Sequence, residues 1–196
     1  MSSWTLRRTS SPQAMAVSLE EAKDHLRVAG SEQDALISLL IESATEQAER
    51  DTERCFVQAT WEQTQDCFPA DGGPILLNMS KAASIQSITY LDADGVTQTL
   101  PVSDYSLDLG RNMVTCLNDD DGWAETLQTQ SGRDTVTIAF TCGTSDPNCL
   151  PSLFKHMILL EVGRAYFDPA QENGVNTNDG RSYENLVRKL IRSSYP

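Results

Sequence analysis

The chain has 196 residues, 39 % hydrophobic and 22 % charged, with 15 basic and 28 acidic side chains for a formal net charge of −13. That length can bury a core without disulfide or metal staples, and no apolar run nears the roughly 18 residues of a membrane span, so no membrane partner is expected. Residues 61–150 carry 3 Lys/Arg against 13 Asp/Glu, a net of −10, which argues against tight or sequence-specific grip on nucleic acid, because that grip needs a basic stripe to neutralise phosphates.

Residues 1–17 are rich in Ser, Thr, Pro and Gln, and their apolar residues follow no period. They are expected to form a flexible N-terminal arm. Arg7 and Arg8 are followed by no apolar stretch, so no secretory signal is read and the expected compartment is the cytoplasm. A first helix is predicted from Ser18, where Ser18 and Glu21 form an S-x-x-E capping box. Leu19, Ala22 and Leu26 mark its buried face, and Gly30 is the expected stop.

A second helix follows, capped by Ser31 or Asp34 and running to about Arg54. Ile37, Leu40, Ile41, Ala44 and Ala48 recur at three- and four-residue steps, the period of an amphipathic helix. Its other face is mostly acidic, with Glu42, Glu46, Glu49 and Glu53. From about Thr60 the period changes to two, and strands are predicted at Trp61–Phe68, Ile75–Met79 and Ile85–Leu91. Asp94-Gly95 joins the last of these to Val96–Leu100, a strong hairpin signal. Tyr105–Leu109 and Met113–Leu117 flank a turn at Gly110–Asn112, and Val136, Ile138 and Phe140 alternate with threonines and an alanine.

Pro151 opens a third helix through about Phe167. Residues 169–182 read as a flexible linker, and a last helix spans Tyr183 to about Ser194. The expected fold class is α+β: an N-terminal helix pair, a central antiparallel β-sheet meander, a long third helix and a C-terminal helix on a flexible linker. The expected division is an arm at 1–17, a core at 18–168 and a linker with terminal helix at 169–196.

Material for catalysis is scarce. No phosphate-binding, dinucleotide, nucleophile-elbow or zinc-protease motif occurs. The two histidines, His25 and His156, lack a nucleophile partner in the sequence. The five cysteines, Cys55, Cys67, Cys116, Cys142 and Cys149, show no CxxC pair, so no metal site is expected and they read as reduced fillers. Asp119, Asp120 and Asp121 are the one cluster able to hold a cation, but the twelfth position from Asp119 is Gln130 rather than the glutamate of an EF-hand loop. No enzyme activity and no cofactor are expected. A metal-dependent hydrolase using Asp119–Asp121 is the rival reading from chemistry, and a small acidic regulator that binds a basic partner is the rival from charge.

Several strings in order, SLEEAKDHLRV at 18–28, QDALISLLIESATEQAERDTER at 33–54, TWEQTQDCFP at 60–69, ITYLDADGVTQTL at 88–100, VTIAFTCG at 136–143 and LPSLFKHMILLEVGRAYFD at 150–168, together with the terminal LVRKLIRSSYP, resemble the head–tail connector, or adaptor, family of tailed phages and gene transfer agents. The resemblance implies a structural virion protein of the neck, assembled in the host cytoplasm. It implies a ring of twelve copies beneath the portal protein, docking a stopper or tail terminator and extending the DNA channel. Another neck or tail-completion protein is the alternative within virions; those tend to be β-barrels, so a helix content near one third favours the adaptor. Carried over by position, the portal-binding segment is the C-terminal helix, with Tyr183, Leu186, Val187, Arg188, Lys189, Leu190, Ile191, Arg192 and Tyr195. Deleting residues 183–196 is then expected to leave a folded protein that no longer joins heads. A channel that DNA slides through should repel phosphates, and Glu42, Glu46, Glu49, Glu53 and Asp119–Asp121 are the channel-facing candidates.

Overall fold

A computed structural model describes residues 4–79, 82–117, 123, 134–168 and 177–191. It is mixed helix and sheet, as expected, and forms two compact units. One comprises Met1–Ser11 and Gln58–Gly143, the other Pro12–Val57 and Thr144–Pro196, so the chain passes between units three times.

Among the described residues the second unit holds four α-helices: α1 (Leu19–Leu26), α2 (Asp34–Thr52), α3 (Ser152–Phe167) and α4 (Thr177–Leu190). Ser18 caps α1 with the reciprocal bonds of a capping box: its hydroxyl accepts from the Glu21 amide at 3.1 Å, and the Glu21 carboxylate accepts from the Ser18 amide at 2.8 Å. The helix stops at Arg27, three residues before the expected glycine. Arg27 adopts a left-handed φ of 57°, and the Arg27 and Val28 amides return to the Asp24 and Lys23 carbonyls at 3.2 and 3.0 Å. This double bond pattern satisfies the terminal carbonyls without a glycine. Neither Ser31 nor Asp34 caps α2; its N-cap is Gln33, with no side-chain bond, and Asp34 stands in the first turn, where its charge favours the helix dipole and pairs with Lys23 at 2.7 Å.

The core of this unit gathers Ile37, Ile41, Ala44 and Ala48 of α2 with Phe154, Met157, Ile158 and Val162 of α3. Phe56 and Phe154 meet with ring centroids 4.7 Å apart. Ala16 and Val17 are each 1 % exposed in the same core. The Glu21 carboxylate that closes the capping box also receives Lys155 of α3 at 2.9 Å, tying α1 to α3. Hydrogen bonds from Ser18 and Lys155 hold the Glu21 carboxyl below its ordinary value.

Among the described residues the other unit has eight strands: β1 (Trp4–Arg8), β2 (Ala59–Gln65), β3 (Ile75–Leu76), β4 (Ala82–Leu91), β5 (Thr97–Thr99), β6 (Tyr105–Asp108), β7 (Met113–Cys116) and β8 (Val136–Cys142). All pairings between these strands are antiparallel, in a five-stranded sheet of order β1-β2-β8-β4-β5 and a three-stranded sheet of order β3-β7-β6. Sequence order is therefore not kept: the last strand lies in the middle of the larger sheet. That place suits its burial: Val136, Ile138, Phe140 and Cys142 are fully buried, and the backbone groups buried with them find ladder partners in β2 on one edge and β4 on the other. The expected hairpin is present. Leu91 pairs Thr97, Gly95 takes a φ of 79°, and the Asp92 carboxylate accepts from the Asp94 and Val96 amides at 3.0 and 2.9 Å.

Residues 1–17 are not wholly an arm, since Trp4–Arg8 pairs residue for residue with β2 from Gln65 to Trp61. Arg7 forms an ion pair with Glu62 at 2.6 Å, and Thr5 bonds Thr64. Thr5, Thr64, Thr137, Thr89 and Thr99 lie opposite one another across all five strands, and β-branched pairs of this kind stabilise a sheet. The order in the segment thus comes from non-local pairing, which composition does not register.

Buried polar side chains tie distant backbone together in this unit, Gln63 and Asn112 among them. Gln63, 1 % exposed in β2, donates to the Leu76 carbonyl at 3.0 Å and accepts from the Asn78 amide at 2.8 Å, linking the two sheets. Asn112, with a φ of 57°, donates to the Leu77 and Met79 carbonyls and accepts from the Ala82 amide at 2.9 Å. Asparagine tolerates this left-handed backbone better than most residues. Trp123 is fully buried, stacks on Phe68 at 5.1 Å and donates from its indole to the Gly73 carbonyl at 2.8 Å.

Candidate interaction surface

The structure divides the expected portal-binding residues into two sets. Leu190 is 1 % exposed, and Tyr183, Leu186 and Val187 pack half-buried against the core of their own unit. The Tyr183 hydroxyl donates to Asp51 of α2 at 2.7 Å, and the Arg54 guanidinium donates from Nε to the Leu190 carbonyl at 2.8 Å. Burial, followed by the bond to Asp51, pushes the Tyr183 phenol far above its ordinary range. The apolar edge read as a partner-docking face is therefore committed within the subunit. Arg188 and Lys189 point outward and are exposed. Ile191 is half-buried, and Arg192 and Tyr195 lie outside the described residues.

The linker reading also changes. Residues 177–182 are helical, because α4 begins at Thr177. An amphipathic face anchored by tertiary contacts extends a helix into sequence whose own propensity is weak. Residues 169–176 lie outside the described residues.

Among the acidic candidates, Glu42, Glu46 and Glu53 are exposed. Glu49 is not available to a channel: it is 3 % exposed and its Oε1 accepts from the Phe56 amide at 2.7 Å. The backbone turn after α2 leaves that amide without a helical partner, and the buried carboxylate supplies one. Asp119, Asp120 and Asp121 lie outside the described residues.

The residues read as chemically inert are scattered. His25 and His156 are both exposed; the His25 ring lies over Gly163 of α3, where an added Cβ would come within 3.4 Å of Nε2. Cys55 and Cys142 are buried, Cys116 is half-buried, and Cys67 and Cys149 are exposed. Among the described residues no three His, Cys, Asp or Glu side chains are grouped to hold a metal ion, and no helix is long and apolar enough to cross a membrane.

One feature escaped the sequence reading. Leu36 and Leu39 of α2 are 48 % and 60 % exposed, on the side away from the core stripe of Ile37, Ile41, Ala44 and Ala48. The signal was available: two leucines three residues apart fall outside the period that defines the core face. Charged Glu42 and Glu46 continue the same outward stripe.

The chain is similar to a chain of the native gene transfer agent virion, with a TM-score of 0.74, 20 % identity and 94 % of each chain covered. It is similar at 18 % identity and a TM-score of 0.73 to chains from the neck of the empty particle computed with C6 symmetry and from the neck of the native particle computed with C12 symmetry. Each of these covers 95 % of this chain and 94 % of the other. Residues 16–88 match the family model of phage gp6-like head–tail connector proteins. That match carries the resemblance read from the sequence, and the neck chains share the fold. No curated protein sequence matches significantly. Among the described residues the four α-helices contain 8, 19, 16 and 14 residues.

Proposed function

We propose that this chain is the adaptor subunit of a head–tail connector, a non-enzymatic virion protein that forms a ring of twelve in the neck. The ring sits between the portal protein and a stopper or tail terminator and extends the channel through which DNA passes. The observation that carries this reading is the match of 95 % of the chain to a chain in a neck computed with C12 symmetry. The family match over residues 16–88 supports it independently. The middle segment's net charge of −10 suits a channel surface that DNA must pass without adhering. The portal contact falls to the residues after α4, Arg192 and Tyr195, since the apolar edge of α4 is already used. Assembly takes place in the host cytoplasm.

Complementation tests this reading. Particles produced without the chain should be filled heads lacking tails, and added purified protein should restore tail joining. Heads that join tails equally well with and without the protein contradict it.

A further inference from the structure

A ring of identical subunits is heterologous: each copy must present two different surfaces that complement one another. The α2 helix is apolar on two sides. Ile37, Ile41, Ala44 and Ala48 fill its own core, while Leu36 and Leu39 stand outward at 48 % and 60 % exposure. A helix apolar on opposite faces is characteristic of one covered on both, so the outward leucines lack a cover in the single subunit. Glu42, one turn beyond Leu39, and Glu46, one turn further, give that stripe a negative end.

Resting on the ring reading, we propose that this outward α2 stripe is the contact for the next copy of the chain, which covers it with the outer edge of α4 at Lys189. Charge selects this occupant. Each copy carries a net −13, so two copies approach favourably only where one offers cations. Residues 151–196 carry 6 basic against 5 acidic side chains, and residues 1–17 carry 2 against none, but Arg7 there is paired with Glu62 of its own subunit. Lysine suits the task physically: its aliphatic stem lies over leucines while its charged end reaches carboxylates. This assigns Glu42 and Glu46 to a subunit contact and removes them from the channel surface.

Three variants decide the matter: Leu39→Asp, Lys189→Glu, and the charge exchange Glu42→Lys with Lys189→Glu. All three positions are exposed, so each variant should melt as the wild type does by circular dichroism. Neck rings on heads produced without the chain are then counted by electron microscopy after adding each protein. Leu39→Asp and Lys189→Glu should each lower ring occupancy by about tenfold or more, because a charge forced into a dry contact is costly, and the exchange should regain most of the loss. Wild-type rings together with undiminished rings from either single variant overturn the α2–α4 contact and leave the ring reading standing. An exchange variant no better than Lys189→Glu overturns it as well. Absence of rings from the wild type refutes the ring reading itself.

Discussion

Removal of residues 183–196 separates a free docking arm from a helix that belongs to the core. A free arm leaves a folded protein; the packing of α4 predicts otherwise. Leu190 is fully buried and contributes about 2 kcal/mol, while half-buried Tyr183, Leu186 and Val187 add roughly 1 kcal/mol each. The bonds from Tyr183 to Asp51 and from Arg54 to the Leu190 carbonyl add about 1 kcal/mol each. The helix backbone alone is near break-even in water, so the loss on truncation approaches the sum of these tertiary contributions. A loss of about 5 kcal/mol or more is comparable with the whole stability of a small domain. Arg54, 5 % exposed, would also lose its carbonyl acceptor in the interior. Urea unfolding followed by far-ultraviolet circular dichroism measures this. The truncated protein should show a much lower midpoint or no folded baseline in its helical signal. A truncated protein within about 1 kcal/mol of the full chain refutes the reasoning. Docking by the segment beyond α4 is therefore better tested by removing residues 192–196 alone.

Trp123→Ala should cost about 3–5 kcal/mol, since it empties a fully buried site stacked on Phe68 and removes the donor to the Gly73 carbonyl; thermal melting measures the loss. Tyr183→Phe should change the alkaline limb of stability. The folded phenol's pKa lies above its ordinary value of 10.0, so the folded state keeps its proton where the unfolded chain releases it, and stability falls as pH rises beyond about 10. The phenylalanine variant should lack that contribution to the fall, as compared by denaturant unfolding across alkaline pH. Ser18→Ala should cost about 0.5–2 kcal/mol by opening the capping box, with the loss seen in the chemical midpoint. Glu21→Gln should flatten the acid limb. The carboxyl's folded pKa is lowered, so its stabilisation is present above pH 4.5 and is lost as pH falls through the folded value.

Elements governed by local chemistry were legible in the sequence. The capping box at Ser18 and Glu21, the Asp94-Gly95 hairpin and the alternation of Val136, Ile138 and Phe140 each encode their structure within a few residues. What needed distant partners was not. The strand at Trp4–Arg8 exists because β2 offers a matching edge, and β8 takes the centre of its sheet because it is flanked by β2 and β4. Neither relation leaves a mark in a short window. Asn112 and Gln63 read as ordinary turn and strand residues until their buried bonds to distant backbone are seen. The candidate surface follows the same division. The amphipathic edge of α4 was visible, but its commitment to Asp51 and Arg54 was not, because a helical period identifies an apolar face without naming what covers it. Glu49 illustrates the converse, a charge on an apparently solvated stripe that proves to be an interior acceptor for the chain leaving α2.

The central claim is that copies of this chain form a ring in the neck, and imaging the neck of complete particles that contain it tests that claim most directly. Cryo-electron microscopy should reveal a ring of twelve copies directly beneath the portal, with the two-unit fold described here fitted in each. A neck whose density between portal and tail contains no copy of this fold, or a single copy off the axis, contradicts it.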